Sequence, residues 1–351
     1  MRTTTPSGAR PRADRVRSWL ALSETALGNA SDRLNAINIF PVADGDTGTN
    51  MYQTVRAARV AVDQAGGLTG DDQDLGQVLS VAARAALDQA RGNSGTLLAV
   101  MLNAMSGSLS GQDRLTAPGL ALALERARTA AWAALSDPQE GTMLTVLGAA
   151  AEAAARHLSE LEDLSADQLE GRRSLGGALD AVADAAWAAV VQTEDQLQPL
   201  TEARVVDAGG MGLLLVLDAL RASTMDTQLD PALMDDLHGF APESPHIHQS
   251  MSSVPGFELM CSISVDPLAA ATLRFGLNEL GDSVIMSPLD TEPDENGAVR
   301  WRVHAHVEDT ESALSLLHGA GSPENLVVEP LESRPESDCP PTADHDGRAS
   351  G

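Results

Sequence analysis

Lysine is missing altogether from these 351 residues: all 23 cationic side chains are Arg, set against 50 Asp and Glu, for a formal net charge of −27. A P-loop NTPase is thereby excluded, because its Gly-rich turn needs the Lys of GK[ST], and so is a protein kinase with its strand-borne Lys. Schiff-base and pyridoxal chemistry also require a Lys amine. The acidic excess argues against nucleic acid, which is bound mainly through cationic contacts to phosphates. Any phosphate chemistry here must draw its positive charge from elsewhere. Aromatic residues are scarce as well (four Trp, one Tyr, four Phe), too few for a stacking platform. There are two cysteines, Cys261 and Cys339, the second in a polar tail, so no disulfide framework is expected. No run of about 18 apolar residues stands out, so no membrane span is expected. The stretch Met1–Arg17 is basic but lacks the apolar segment of a secretory signal. The expectation is a cytoplasmic protein, long enough for about two domains.

Proline divides what is present. Three of the 18 prolines fall between Val42 and Asp230, and twelve from Pro231 to Pro341. Proline breaks helix interiors, so the first region can be mostly helical and the second cannot. Apolar residues at three-and-four spacing predict helices over Asp14–Asn29, Thr49–Gln64, Leu75–Gln89, Ser94–Gly107, Pro118–Leu135, Thr142–His157, Ser174–Gln192 and Gly210–Ala222. Eight such helices make an all-α bundle or helical barrel. After a linker, 223–255, the period changes. Strands are expected over Phe257–Val265, Ser283–Met286, Val299–Val307 and Leu326–Glu329, and helices over Leu268–Leu280 and Thr310–His318. That β-α-β-β-α-β order predicts a small ferredoxin-like α+β domain over 256–332. Residues 1–13 and 333–351 are expected to be disordered, which leaves 14–222 as the helical domain.

The densest cluster of chemistry is Asn38-Ile-Phe-Pro-Val-Ala-Asp44-Gly45-Asp46-Thr47-Gly48-Thr49-Asn50. Two carboxylates one Gly apart, on a loop entering a helix, can converge on one or two hard cations, as Mg²⁺ prefers. Thr47, Thr49 and Asn50 add neutral oxygens at the helix start, where the dipole favours phosphate. An EF-hand is excluded: with Asp44 first, Thr49 falls where Gly is required and Val55 where Glu is required. An ordinary Asp-Gly turn with a capped helix is the plain alternative. Gly92-Asn93-Ser94-Gly95 repeats the pattern and can cradle an anion without Lys, the alternative being a helix turn capped by Ser94. Two further Gly-plus-polar helix entries contain Thr142 and Asp207-Ala208-Gly209-Gly210.

Together, LNAINIFPVADGDTGTNM, ARGNSG, EGTMLTV and VVDAGGMGLL resemble the DhaL-type nucleotide-binding domain, shared by dihydroxyacetone kinases and bacterial fatty acid kinases. The longer first segment is similar to the fatty acid kinase branch. So is the second region, with Leu280-Gly281-Asp282-Ser283 and Val303-His304-Ala305-His306-Val307. The resemblance implies an eight-helix barrel that binds ATP/ADP at one end through Mg²⁺. Asp44 and Asp46 would be the metal ligands with Asn38 nearby, and Thr47, Thr49 and Asn50 would flank the phosphates. Gly92, Asn93, Ser94 and Gly95 would cradle them, while Thr142, Asp207, Ala208, Gly209 and Gly210 would line the nucleotide. In dihydroxyacetone kinases a third Asp precedes the pair and a His follows it; here the Asn38 region and Thr47 stand in those places. The resemblance also implies zinc in the second region, on a Cys and a His-x-His pair. His304 and His306 match the pair and Glu258 stands at the Cys position, with Cys261 three residues on. Glu and His both ligate zinc. The alternative is a solvated strand face.

The implied reaction is phosphoryl transfer from Mg-ATP to a fatty acid carboxylate presented by a separate fatty-acid-binding protein. That acceptor needs no general base, its pKa being about 4 to 5 if it resembles Glu. Asp44, Asp46 and Thr47 are the catalytic candidates, with Arg91 as a supporting cation. Fatty acid kinases continue into a further domain that engages this partner, whereas the chain ends soon after Glu332. The partner would then dock elsewhere, or the chain is a shortened relative. The alternatives are a dihydroxyacetone (glycerone) kinase-like ADP-binding subunit acting on a small ketose, and a non-catalytic nucleotide-binding regulator. A homodimer is compatible with any of these.

Overall fold

A computed structural model of the chain describes residues 12–65, 74–161, 163–230, 233, 256–290 and 293–331. Eight long helices make up most of the first region: α1 (Arg12–Ala36), α2 (Thr47–Ala65), α3 (Leu75–Gln89), α4 (Gly92–Ser108), α5 (Ala117–Ala134), α6 (Met143–Ser159), α8 (Arg172–Gln196) and α10 (Ala208–Met225). Two short helices, α7 (Ala166–Leu169) and α9 (Gln198–Ala203), lie in connections where no helix was expected. They are too short for a three-and-four pattern to register. Starts are set by side chains that accept backbone amides: Asp74 in a capping box with Gln77, Thr116, Thr142 and Asp207. α4 departs from expectation. It begins at Gly92 behind Arg91, with no side-chain cap, so Ser94 lies in the first turn rather than capping it.

Each long helix packs on the next, and α10 returns to α1, which closes a ring of eight. Small side chains make the close approaches possible. Ala82, Ala86, Ala123, Ala127, Ala150, Ala154, Ala178 and Ala219 are all fully buried. Larger side chains such as Leu27, Leu34, Leu87, Leu124 and Leu147 fill the remaining space, each contributing about 1.5–3 kcal/mol by burial. α8 and α10 are long and apolar enough by composition to cross a membrane. For α10 the cause is burial on every side, with Met211, Leu213, Leu214 and Ala219 fully enclosed in the ring.

One approach is close enough to test. Gly48, in the first turn of α2, lies against α1, where an added Cβ would collide with the Ser31 carbonyl oxygen and come within 2.9 Å of Leu34 Cβ. Backbone cannot swing aside, so Gly48→Ala is expected to cost about 1–3 kcal/mol of unfolding free energy, read by urea denaturation. A change below 0.5 kcal/mol, about the scatter of surface substitutions, would show that the two helices separate freely.

The second region runs β1 (Phe257–Val265), α11 (Pro267–Leu280), β2 (Gly281–Pro288), β3 (Val299–Val307), α12 (Thr310–Ala320) and β4 (Glu324–Pro330). The sheet is antiparallel in the order β2-β3-β1-β4, so each βα unit straddles an intervening strand. Alternation along β1 and β3 sorts the side chains. Leu259, Cys261, Ile263, Val303, Ala305 and Val307 pack on Leu273, Leu277, Ala313 and Leu317 of the two helices. Glu258, Met260, Arg302, His304 and His306 therefore share the other face, which meets the helical ring.

Polar contacts join the two regions. Ser136 N–H donates to the Val284 carbonyl (3.1 Å), and Arg274 donates to the last carbonyls of α5, Ala133 O (3.0 Å) and Ala134 O (2.9 Å). A guanidinium there satisfies acceptors that the helix end leaves open. Most of the expected linker, with His238, His246 and His248, lies outside the described residues, as do the two termini and Cys339.

Candidate functional site

The loop between α1 and α2 carries Asp44 and Asp46 to one mouth of the ring. Asn38 is buried behind them and donates its amide to Asp44 Oδ1. Burial, then the neighbouring charge and hydrogen bond of Asp46, push the Asp44 carboxyl up to about 8, with the Asn38 bond pulling the other way. Two carboxylates so placed cannot both ionise cheaply without a cation, and this donor set suits a divalent ion. Thr47 and Asn50 face the same mouth from α2, and Asn93 and Ser94 face it from α4. Thr47 Oγ1 lies 3.3 Å from Ser94 Oγ, so the two helix starts meet at these hydroxyls.

Several expected residues turn elsewhere. Thr49 Oγ1 accepts from Asn35 Nδ2 (2.9 Å) and its N–H donates to Asn35 Oδ1 (3.1 Å), so Thr49 ties α2 to α1 instead of facing the mouth. Gly95 provides contact between helices, since an added Cβ would lie 2.7 Å from Thr54 Oγ1. Gly92 adopts φ +60°, and an added Cβ would collide with Asn50 Nδ2. Its amide is already engaged by Glu258 Oε1 at 2.7 Å. Arg91 is not a free cation beside the carboxylates, because it pairs with Glu329 of β4 at 2.8 Å.

Beside the mouth opens a cavity of about 480 Å³, lined by Asn93, Ser94, Leu97, Thr142, Met143, Asp207 and Gly209. Thr142 is the N-cap of α6 and donates to Gln139 O (2.8 Å). Asp207 caps α10, accepting from Gly210 N–H at 2.6 Å, and full burial pushes its carboxyl up to about 6 against that bond and one from Met143 N–H. Ala208 and Gly210 are buried in the first turn of α10, where a Cβ on Gly210 would meet Val146. The far wall belongs to the second region: Asn278, Gly281, Asp282, Ser283 and Val284. Ser283 sits at a register shift in β2 with φ +53°, a sparsely populated conformation for a residue with a side chain. The signal for this wall was Leu280-Gly281-Asp282-Ser283, which carried the resemblance without saying where the segment lies. A larger concavity of about 1120 Å³ runs between the same two regions, walled by Leu122, Phe275 and Trp301, and none of the motif residues reaches it.

Glu258, His304 and His306 come together, with one potential ligand atom from each lying within 4.8 Å of the others. The solvated-face alternative fails, because all three are buried. Burial, followed by His306 and Arg302, holds the His304 imidazole well below its usual range, so it is neutral, and neither ring nitrogen has a hydrogen-bond partner among the described residues. Burial raises the Glu258 carboxyl to about 7, with Gly92 N–H opposing and Asp46 assisting. Cys261 takes no part. Three residues along a strand places it on the opposite face from Glu258, where burial pushes its thiol up to about 12. His306 is the surprise. It also borders the mouth that holds Asp44 and Asp46, although no His lies within the helical motifs.

With this geometry in view, the helical region can be assigned: residues 41–222 match the DAK2 domain model, just over half of the chain. The chain belongs to the DAK2 domain family. Protein YloV of Bacillus subtilis is 30% identical over 325 residues, which cover 90% of this chain and 54% of that protein. An uncharacterized protein of Staphylococcus epidermidis is 28% identical, covering 88% of the chain and 53% of the relative. The chain thus spans about half the length of the curated relatives it matches. A dihydroxyacetone kinase of C. freundii, solved with AMP-PNP and Mg²⁺, aligns at 19% identity with a TM-score of 0.42, over 64% of this chain and 37% of its own.

Proposed function

We propose that the chain is an ATP- and Mg²⁺-dependent phosphotransferase whose acceptor is a fatty acid carboxylate, presented by a separate fatty-acid-binding protein and converted to an acyl phosphate. The observation that carries this reading is the convergence of Asp44, Asp46, Thr47, Asn50, Asn93 and Ser94 on one mouth beside a cavity, in a chain without Lys. Asp44 and Asp46 would hold Mg²⁺, and Asn38 orients Asp44. When bound, Mg²⁺ supplies the positive charge that a Lys supplies in other ATP-using folds. Thr47, Ser94 and Asn93 orient the phosphates by hydrogen bonds. Leu97, Met143, Thr142, Asp207 and Gly209 enclose the nucleoside, with Ser283 and Val284 as its lid wall. The acceptor is already ionised at neutral pH, so positioning and charge stabilisation suffice. Glu258, His304 and His306 would hold zinc, since buried imidazole nitrogens without hydrogen-bond partners among the described residues, beside a carboxylate, suit that ion.

The chain is tested with Mg-ATP and a fatty-acid-loaded binding protein, following ADP and acyl phosphate. Stoichiometric acyl phosphate is the expected product. ADP release with dihydroxyacetone alone would favour a ketose acceptor, and nucleotide binding without turnover on any acceptor would favour a regulator.

A further inference from the structure

We infer that Glu258 is a positioning residue that couples metal occupancy of the Glu258–His304–His306 triad to nucleotide binding in the helical ring. The inference rests on the nucleotide reading above and extends it to a link between two sites.

The segment that opens α4 is gripped by the sheet at three successive residues. Arg302 Nη2 donates to the Ala90 carbonyl (3.3 Å), Arg91 pairs with Glu329 (2.8 Å), and Gly92 N–H donates to Glu258 Oε1 (2.7 Å). The next two residues, Asn93 and Ser94, border both the acidic mouth and the cavity. Of the three grips, Glu258 alone belongs also to the metal-ligand set, its Oε1 lying 3.3 Å from His304 Nδ1.

A ligating carboxylate is normally held by an outer hydrogen bond, which fixes the ligand and tunes the site. Here that outer partner is the backbone that carries Asn93 and Ser94. Gly92 has little room to adjust, since its φ is +60° and the Asn50 side chain occupies the space where a Cβ would stand. A metal on the triad fixes the carboxylate and with it the start of α4. It also adds positive charge beside the acidic mouth, which His306 of the triad borders and where polyphosphate would otherwise be repelled. Both effects have the same sign, so the triad metal tightens nucleotide binding. By linkage, nucleotide tightens the metal by the same factor, about tenfold on the usual scale of coupling between sites.

The test uses the full chain freed of metal by a chelator and kept in excess Mg²⁺, with affinity for ADP measured by titration calorimetry. One equivalent of Zn²⁺ is expected to tighten ADP about tenfold, and ADP to tighten Zn²⁺ equally. Glu258→Cys keeps a zinc ligand but is too short to hold Gly92 as well. It is expected to bind Zn²⁺ one to one with coupling below about twofold. Zinc binding that leaves wild-type ADP affinity unchanged would overturn the inference while the nucleotide reading stands. So would full coupling in Glu258→Cys, or failure of the triad to bind Zn²⁺. Absence of ADP binding with and without Zn²⁺ would overturn the nucleotide reading and this inference together.

Discussion

Asp44→Asn is expected to lower acceptor-dependent ADP release by on the order of a thousandfold, the scale seen when one preorganised charge contact to a transition state is removed. The substitution is nearly isosteric and leaves an oxygen able to accept from Asn38, so the loop that Asn38 braces is retained. What is lost is one of the two carboxylates that face the mouth, Asp46 being the other, and with it the main attraction for a divalent cation. Asp46 alone offers a single carboxylate among neutral neighbours, Thr47, Asn50, Asn93 and Ser94. The chain has no Lys, and Arg91 is committed to Glu329, so neither takes over the charge. The measurement is initial-rate ADP release at saturating Mg-ATP, with circular dichroism to confirm folding. Activity within tenfold of wild type would take the metal role away from Asp44.

Asp207 is expected to make the protein less stable as pH rises from 4 to 7, by about 2 kcal/mol. Its carboxyl is fully buried, and burial outweighs the amides of Gly210 and Met143, so the acid form persists to about pH 6 against 3.8 for an exposed group. The folded state therefore holds a proton that the unfolded chain releases. Stability from this group is complete below about pH 3.8 and is lost as pH passes through about 6. Asp207→Asn removes the titration and keeps an oxygen for the Gly210 amide, since Asn caps helices as well as Asp does. Other buried carboxyls, Asp44 and Glu258, tilt stability the same way, so the informative quantity is the difference between variant and wild type. In urea titrations at pH 4, 5, 6 and 7 the variant should gain on wild type by about 2 kcal/mol across that range. Parallel pH profiles would mean that Asp207 is ionised in the folded protein.

The two regions were legible for different reasons. Long helices repeat an apolar face over several turns, so spans such as Leu75–Gln89 could be read to the residue. α7 and α9, at four and six residues, carry no repeat. Strands β1 and β3 matched their expected ends, Phe257–Val265 and Val299–Val307, because turn residues flank both and β3 alternates strictly along its length. The candidate site residues followed a local rule too. Asp44, Asp46, Thr47 and Asn50 share one loop and one helix start, so their meeting is set by a few bonds. Thr49 broke that rule because its half-buried neighbour Asn35, on the last turn of α1, makes two hydrogen bonds with it.

By itself the sequence determined the chemistry on offer: no Lys, a pair of carboxylates beside a helix start, Gly-marked helix entries, and a His-x-His pair on a strand. Only the tertiary structure decided which of these meet. His306 lies 260 positions after Asp46 in the chain, and no local pattern could bring it to the same mouth. Alternation along β3 says that His304 and His306 share a face, but not that the face is buried against the start of α4. That was settled by the packing of the sheet on the ring, because burying one face of the sheet against α11 and α12 leaves only the other, polar face to cover Gly92.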